Sequence, residues 1–145
     1  MYLILCFVLK IVTATHYSGE FKFIRTIEAI GIPYYKVAMT LGSCQENTIF
    51  SENKAWPTVR MNRVMDIYYK GEYKVSSVVI KLIINNTDCL GFSDEGIGSV
   101  EFSATLFFAD NMGPIFYSLT IYTCDRNFNV DPKNEESLLF YTKKR

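Results

Sequence analysis

The stretch Val75-Ser-Ser-Val-Val-Ile-Lys-Leu-Ile-Ile84 and the later stretch Ile115-Phe-Tyr-Ser-Leu-Thr-Ile-Tyr-Thr-Cys124 decide the fold class of this chain. The first is nearly continuous in β-branched and aliphatic side chains and stops at Asn85-Asn-Thr-Asp88, which predicts a core strand followed by a turn. The second alternates, so that its residues 115, 117, 119 and 121 share one face, as in a strand. We therefore expect two strands that pair with each other.

Weaker strand signals surround this pair. Residues 100–107 alternate apolar with polar or small side chains and predict a strand with one face on the core and one toward water. Residues 17–42 predict two strands broken at Gly31 and Pro33. Residues 58–69 mix periods of two and four, which leaves helix and strand open. We choose strand there because β-rich sequence flanks the segment.

Polar, turn-forming segments separate these strands. Residues 42–54 predict a long surface loop, and residues 91–99, with three glycines, predict another loop whose backbone visits positive φ. The tail 125–145 is polar, and only its residues 138–141 could pair as an edge strand. Short strands joined by turns, with no convincing helix, predict an antiparallel β-sandwich, because parallel strands would need crossover helices.

Composition and the first residues indicate a secreted protein. The 145 residues suffice for one domain, and 15 basic side chains balance 15 acidic ones, so no strong field favours nucleic acid or an anionic membrane. Residues 1–14 are typical of a signal peptide, with an apolar run and small residues before a cut after Ala14. No other segment approaches the roughly 18 apolar residues of a transmembrane segment. The mature domain is predicted to span residues 15–145.

The cysteines fit an oxidising compartment. Cys6 leaves with the signal, so Cys44, Cys89 and Cys124 remain, and one disulfide plus one free thiol is the simplest interpretation. All three pairings stay open, and an unpaired thiol could link two chains. The sequon Asn85-Asn-Thr87 predicts a glycosylated Asn85 in an exposed turn.

No group of residues predicts catalysis, a cofactor or a metal site. The cysteine spacings fit no zinc pattern, and the only histidine is His16, near the mature N-terminus. Ser93 and Ser118 lack a general base, which argues against a nucleophilic enzyme. The acidic residues Asp88, Asp94 and Glu95 lack calcium-ligand spacing and are interpreted as a solvated turn.

A set of motifs in residues 57–124 resembles the nematode transthyretin-like family of small secreted proteins. In order, they are Val79-Ile-Lys-Leu82, Asp94-Glu-Gly96, Ser99-Val-Glu-Phe102, Pro114 and Leu119-Thr-Ile-Tyr-Thr-Cys124. The family's histidine between the last tyrosine and cysteine is absent here, since Thr123 alone separates the two. The cysteine of the family's earlier strand is also missing, so Cys44 or Cys89 would replace it as the partner of Cys124.

This resemblance implies a transthyretin-like β-sandwich with an extracellular binding or signalling role and without catalysis. The partner it implies is an extracellular protein, a lipid or a small apolar ligand, and self-association into a homo-oligomer stays open.

The main alternative is an immunoglobulin-like adhesion or receptor-binding module. Cys44, Trp56 and Tyr122-Thr-Cys124 resemble the immunoglobulin pattern of a disulfide packed on a tryptophan, with a tyrosine two residues before the second cysteine. This interpretation predicts a Cys44–Cys124 bridge with Trp56 against it. Pro57 argues against it, because a proline does not suit a central strand.

Overall fold

The computed structural model describes residues 22–58, 63–93 and 97–128. This part of the chain forms eight strands and contains no helix, so it has no helix long and apolar enough to cross a membrane. In chain order the strands are β1 (Ile24–Gly31), β2 (Tyr34–Gly42), β3 (Asn47–Trp56), β4 (Arg63–Lys70), β5 (Ser77–Ile84), β6 (Cys89–Ser93), β7 (Glu101–Phe108) and β8 (Ile115–Thr123).

The strands form two antiparallel sheets, which confirms the predicted all-β sandwich. One sheet has five strands in the order β1-β2-β5-β8-β3, and the other has three in the order β4-β7-β6. The two stretches that decide the fold class are neighbours at the centre of the larger sheet. Their register places Val78 opposite Ile121 and Lys81 opposite Ser118, so the predicted pairing of these strands is confirmed.

The core lies between the sheets and is built from alternate residues of the central strands. Ile80 and Leu82 of β5 sit beside Leu119 and Tyr117 of β8, and all four side chains are buried. From the smaller sheet, β7 contributes its own alternate set to the same cluster, namely Phe102, Ala104, Leu106 and Phe108. The predicted alternation of residues 100–107 is therefore confirmed.

Five strands facing three leave the larger sheet wider than its partner. The inward side chains of β2, such as Val37 and Met39, are fully covered. At the two margins, by contrast, every residue of β1 is exposed, and no residue of β3 is fully buried. The two outer strands of the larger sheet therefore extend beyond the cover that the smaller sheet provides.

Two predicted loops are wrong in part. Residues 42–54 contain most of β3, a strand whose polar composition reflects its position at a sheet margin rather than in a loop. Residues 91–99 begin inside β6, which pairs with β7. Gly91 suits this strand because a Cβ there would lie only 2.9 Å from the Leu106 side chain. The predicted positive φ does occur at Gly98.

The other strand predictions agree with the structure where it describes them. β1 ends at Gly31 and β2 begins after Pro33, as predicted, and the choice of strand for residues 58–69 is confirmed from Arg63 onward. The predicted signal peptide with its cut after Ala14, His16 and the predicted edge strand at residues 138–141 lie outside the described residues.

Candidate functional site: the cleft between β3 and β4

The cysteines form one bridge and one buried thiol, the arrangement expected from their number. Cys44, just after β2, is joined to Cys124, just after β8, with 6.2 Å between their Cα atoms. Cys89 is free and only 1% exposed, because it faces the core from β6. A bond from Cys89 to a second chain would need a surface position, so the structure argues against that expectation.

The bridge does not have the immunoglobulin arrangement. Both cysteines adjoin strands of the same sheet, at the end where Asn47 pairs with Thr123. Trp56 pairs with Ile115 at the other end of β3, roughly 30 Å away by the rise of a strand. The Trp56 ring packs instead on Tyr117, at 5.0 Å between ring centroids. The expected contact of Trp56 with the disulfide is therefore wrong.

The sequon asparagine lies in the predicted turn after β5, but its side chain is half-buried. Asn85 Oδ1 accepts a hydrogen bond of 2.8 Å from the backbone N–H of Gly113. The next residue closes the turn, since Asn86 Oδ1 accepts from the backbone N–H of Asp88 at 2.9 Å. Glycosylation of Asn85 stays a prediction.

Of the acidic and hydroxyl side chains considered in the sequence, the structure describes Asp88, Ser93 and Ser118, which it places in the turn before β6, at the end of β6 and in β8 of the other sheet. Asp88 is exposed in the turn before β6, while Asp94 and Glu95 lie outside the described residues. Ser93 Oγ donates to the backbone carbonyl of Ser103 at 3.0 Å, which ties β6 to β7.

A cleft opens between the sheets where β3 extends past the smaller sheet. Every second residue of β3 points toward the other sheet, and the inward side chains of β4 lie across from them. The cavity has a volume of about 390 Å³. Its inward-facing lining comes from β3 (Phe50, Glu52, Lys54 and Trp56), from β4 (Arg63, Met65 and Ile67) and from β8 (Tyr117 and Leu119).

The walls of the cleft combine aromatic and aliphatic side chains with charged ones. Trp56 closes one end, where its ring contacts both Tyr117 and Phe108, the latter at 6.4 Å. Phe50 lies toward the other end and contacts the ring of Tyr69 at 5.7 Å. Since Trp56 is the only tryptophan of the chain, its fluorescence reports on this cleft alone.

Three charged side chains converge on this apolar surface. Lys54 Nζ lies 2.5 Å from a carboxylate oxygen of Glu52, two residues earlier on the same face of β3. Arg63 Nη2 donates to the backbone carbonyl of Pro57 at 2.8 Å and so joins the two ends of the β3–β4 connection. The other terminal nitrogen, Arg63 Nη1, is buried without a hydrogen-bond partner in the structure.

The phenol of Tyr117 stays protonated at neutral pH in this setting. Burial raises its pKa, and the negative charge of Glu52 raises the pKa further. Tyr117 therefore offers the cleft a neutral hydroxyl rather than an acid or base that titrates near pH 7.

The sequence contains one weak signal for this cleft. Phe50 and Trp56 lie an even number of residues apart, so they would share one face if the segment were a strand. Polar residues fill positions 51–54 between them, which is why the sequence predicts a loop there. Arg63 carried no signal of its own, since nothing in the local sequence shows that β4 lies across from β3.

Comparison with protein-family models, curated proteins and solved structures finds no match to this chain. The class of protein is therefore defined by its fold and its cleft. It is a small antiparallel β-sandwich of unequal sheets, with a disulfide at one end of the larger sheet and a mixed apolar and charged cleft along one margin.

Proposed function

We propose that this protein is a secreted, non-enzymatic binding protein that holds a small, largely apolar molecule in the cleft between β3 and β4. The observation that carries this proposal is the cleft itself. Its volume of about 390 Å³ falls in the range of small-molecule sites, roughly 300–1,000 Å³. Aromatic and aliphatic walls with a few convergent polar groups are the usual composition of such sites.

Several features support an extracellular setting for this function. The Cys44–Cys124 bridge is of the kind that persists in oxidising compartments. The predicted signal peptide and the sequon at Asn85 point the same way. The antiparallel sandwich is also compatible with the proposed kinship to the nematode transthyretin-like family, whose members are secreted.

The chemistry of the cleft favours binding over catalysis. Glu52 is engaged by Lys54, and the raised pKa of Tyr117 keeps its hydroxyl out of proton transfer near neutral pH. These contacts support binding rather than catalysis as the role of the cleft.

A second candidate function, docking of an extracellular protein as in an adhesion module, is favoured by the outer face of the smaller sheet. Exposed apolar side chains run across all three strands there, with Val64 and Leu90 each opposite Phe107. Phe92 adds a ring contact to Phe107 at 6.2 Å. An exposed apolar row of this kind is a common feature of protein contact surfaces.

Intrinsic fluorescence of Trp56 tests the binding function. The protein is purified from the medium of cells that express the full reading frame, and an intact mass starting at Thr15 checks secretion. Titration with 1-decanol or 4-phenylbutanol is expected to give a saturable change in Trp56 emission. A product that retains Met1 would contradict the extracellular setting. If neither alcohol changes the Trp56 emission, the cleft is not the binding site. Binding on the outer face of the smaller sheet would give this same result.

A further inference from the structure

Among the described residues, the one buried side-chain nitrogen or oxygen without a hydrogen-bond partner belongs to Arg63 of the cleft. Its Nη2 donates to Pro57, but its Nη1 is buried with no partner. A guanidinium carries five N–H donors, and leaving a buried charged donor unpaired costs more than leaving a neutral one unpaired. Buried polar groups without a partner in a folded protein are uncommon. Arg63 lines the cleft, and its guanidinium keeps a donor that no acceptor in the described part of the chain satisfies.

Arg63 also has no ion-pair partner among the described residues. The two ion pairs found in the described part of the chain are Lys54–Glu52 and Lys70–Glu101, and Arg63 belongs to neither. Asp66 lies three residues along β4 and therefore points to the opposite face of the strand. There its Oδ1 accepts a hydrogen bond of 2.8 Å from Thr105. Asp66 is nevertheless among the residues that line the cavity, so its four charged lining residues sum to zero, and Arg63 is the cation among them without an ion pair.

We infer that the cleft selects an organic monoanion, namely an apolar or aromatic body with a single carboxylate that accepts from the Arg63 guanidinium. This inference rests on the proposed binding function and specifies the class of ligand. One cation without an ion pair matches one carboxylate, whereas a doubly charged phosphate would bring excess negative charge beside Glu52 and Asp66. The aromatic walls around Trp56 then hold the apolar body, and the hydroxyl of Tyr117 lies along the same surface.

A rival anion site lies on the outer face of the larger sheet. There Lys36 and Lys81 flank exposed Ile83 and Phe116 over a shallow groove of about 500 Å³. Both lysines extend into solvent, where an ion pair contributes roughly 0–1 kcal/mol. The cleft is favoured because its donor is already buried, and the outer groove becomes an outcome of the test.

Matched pairs of probes that differ only in their head group test this inference. Decanoate is compared with 1-decanol, and 4-phenylbutyrate with 4-phenylbutanol, by Trp56 emission and by titration calorimetry at pH 7.5. The aliphatic and aromatic pairs distinguish a fatty acid from an aromatic acid. In the unaltered protein we expect at least one carboxylate to bind on the order of tenfold more tightly than its alcohol, as for a charge-assisted hydrogen bond.

Two variants locate the preference. Arg63→Gln is expected to abolish the carboxylate preference, so that each carboxylate binds no more tightly than its alcohol, and Lys81→Gln, the matched loss of one positive charge on the outer face, is expected to preserve it. Arg63→Lys keeps the positive charge but lacks the planar arrangement of N–H donors that a guanidinium has. It is expected to retain part of the carboxylate preference. Arg63→Lys also replaces Arg63→Gln as the test if loss of the contact with Pro57 prevents Arg63→Gln from folding.

Each outcome bears on a separate claim. Equal binding of carboxylate and alcohol by the unaltered protein would overturn the monoanion inference and leave the binding function standing. A preference that survives Arg63→Gln but disappears in Lys81→Gln would overturn it in favour of the outer groove. No response to any of the four probes would overturn the binding function itself.

Discussion

The two outer strands of the larger sheet, β1 and β3, have opposite compositions and opposite surroundings. β1 carries Ile24, Ile27 and Ile30, yet all eight of its residues are exposed. β3 carries charged and amide side chains at its centre, yet half of its residues are partly buried. The more apolar strand is thus the more exposed one, so composition does not decide which margin of this sandwich is covered.

The difference arises from what lies across from each strand. β3 faces β4, whose eight residues extend along it and provide the second wall of the cleft. β1 lies on the side of β6, which has only five residues. Several contacts cross that margin: Phe23 packs edge-on against Phe102, Arg25 Nη1 donates to the carbonyl of Cys89 at 2.6 Å, and Lys22 forms a β-bridge with Phe92. A margin becomes a cleft only where the opposite strand is long enough to form its other wall.

Removal of the disulfide is expected to have the largest effect on the free energy of unfolding. It is also expected to affect the two margins of the larger sheet differently. The double variant Cys44→Ala/Cys124→Ala loses a link that spans 80 residues, which in the chain-entropy account stabilises the fold by about 4 kcal/mol. Urea unfolding measures this loss. The bridge adjoins β3, so amide hydrogen exchange should accelerate more in β3 than in β1. Equal acceleration in both strands would show that the bridge does not act locally.

Matched truncations in the centre and at the margin are expected to have the next largest effect. Ile80→Ala, at a side chain with 0% exposure in β5, should cost about 3 kcal/mol of unfolding free energy through lost burial and a cavity. Ile27→Ala, at a side chain of 45% exposure in β1, should change it by less than about 0.5 kcal/mol. Denaturant midpoints of both variants measure the contrast. A cost at Ile27 comparable to that at Ile80 would mean that β1 is covered in solution.

The smallest expected effect concerns Tyr117 at alkaline pH. The pKa of Tyr117 is about 10 in the unfolded chain and higher in the folded protein. Between these two values the unfolded chain has lost the phenol proton and the folded protein still holds it. The contribution of Tyr117 to the free energy of unfolding is therefore complete below pH 10 and falls as the pH rises. Tyr117→Phe lacks the titrating phenol. Between pH 9 and 11 its free energy of unfolding should decline by about 1 kcal/mol less than that of the unaltered protein. Parallel declines in both proteins would show that the phenol is solvated.

The centre of the fold could be predicted from the sequence because its signals are local. The β-branched run of β5 and the alternation of β7 and β8 each identify a buried strand without knowledge of its neighbours. The same reasoning failed for β3, where polar residues alternate at a margin, and for β6, where Gly91 and Ser93 resemble a loop. A strand that packs with few apolar side chains has no strong signature of its own.

The candidate site could not be predicted because its walls come from separate segments. Glu52 and Lys54 on β3 line the same cleft as Arg63 on β4 only because the chain crosses from one sheet to the other between these strands. The disulfide pairing could not be predicted for the same reason. Cys44 and Cys124 become neighbours only when β2, β5 and β8 are in register. Contacts between distant segments depend on topology, which the local pattern does not contain.

The position of Cys89 determines when the pairing of cysteines is settled. Thiol–disulfide exchange requires a thiolate that can reach a sulfur of the bridge. Cys89 belongs to the opposite sheet from the bridge, and burial raises the pKa of its thiol, so in the folded protein it is a poor attacking group. Mispaired isomers that involve Cys89 can therefore form only before the two sheets close, and once they close the native isomer is kinetically protected.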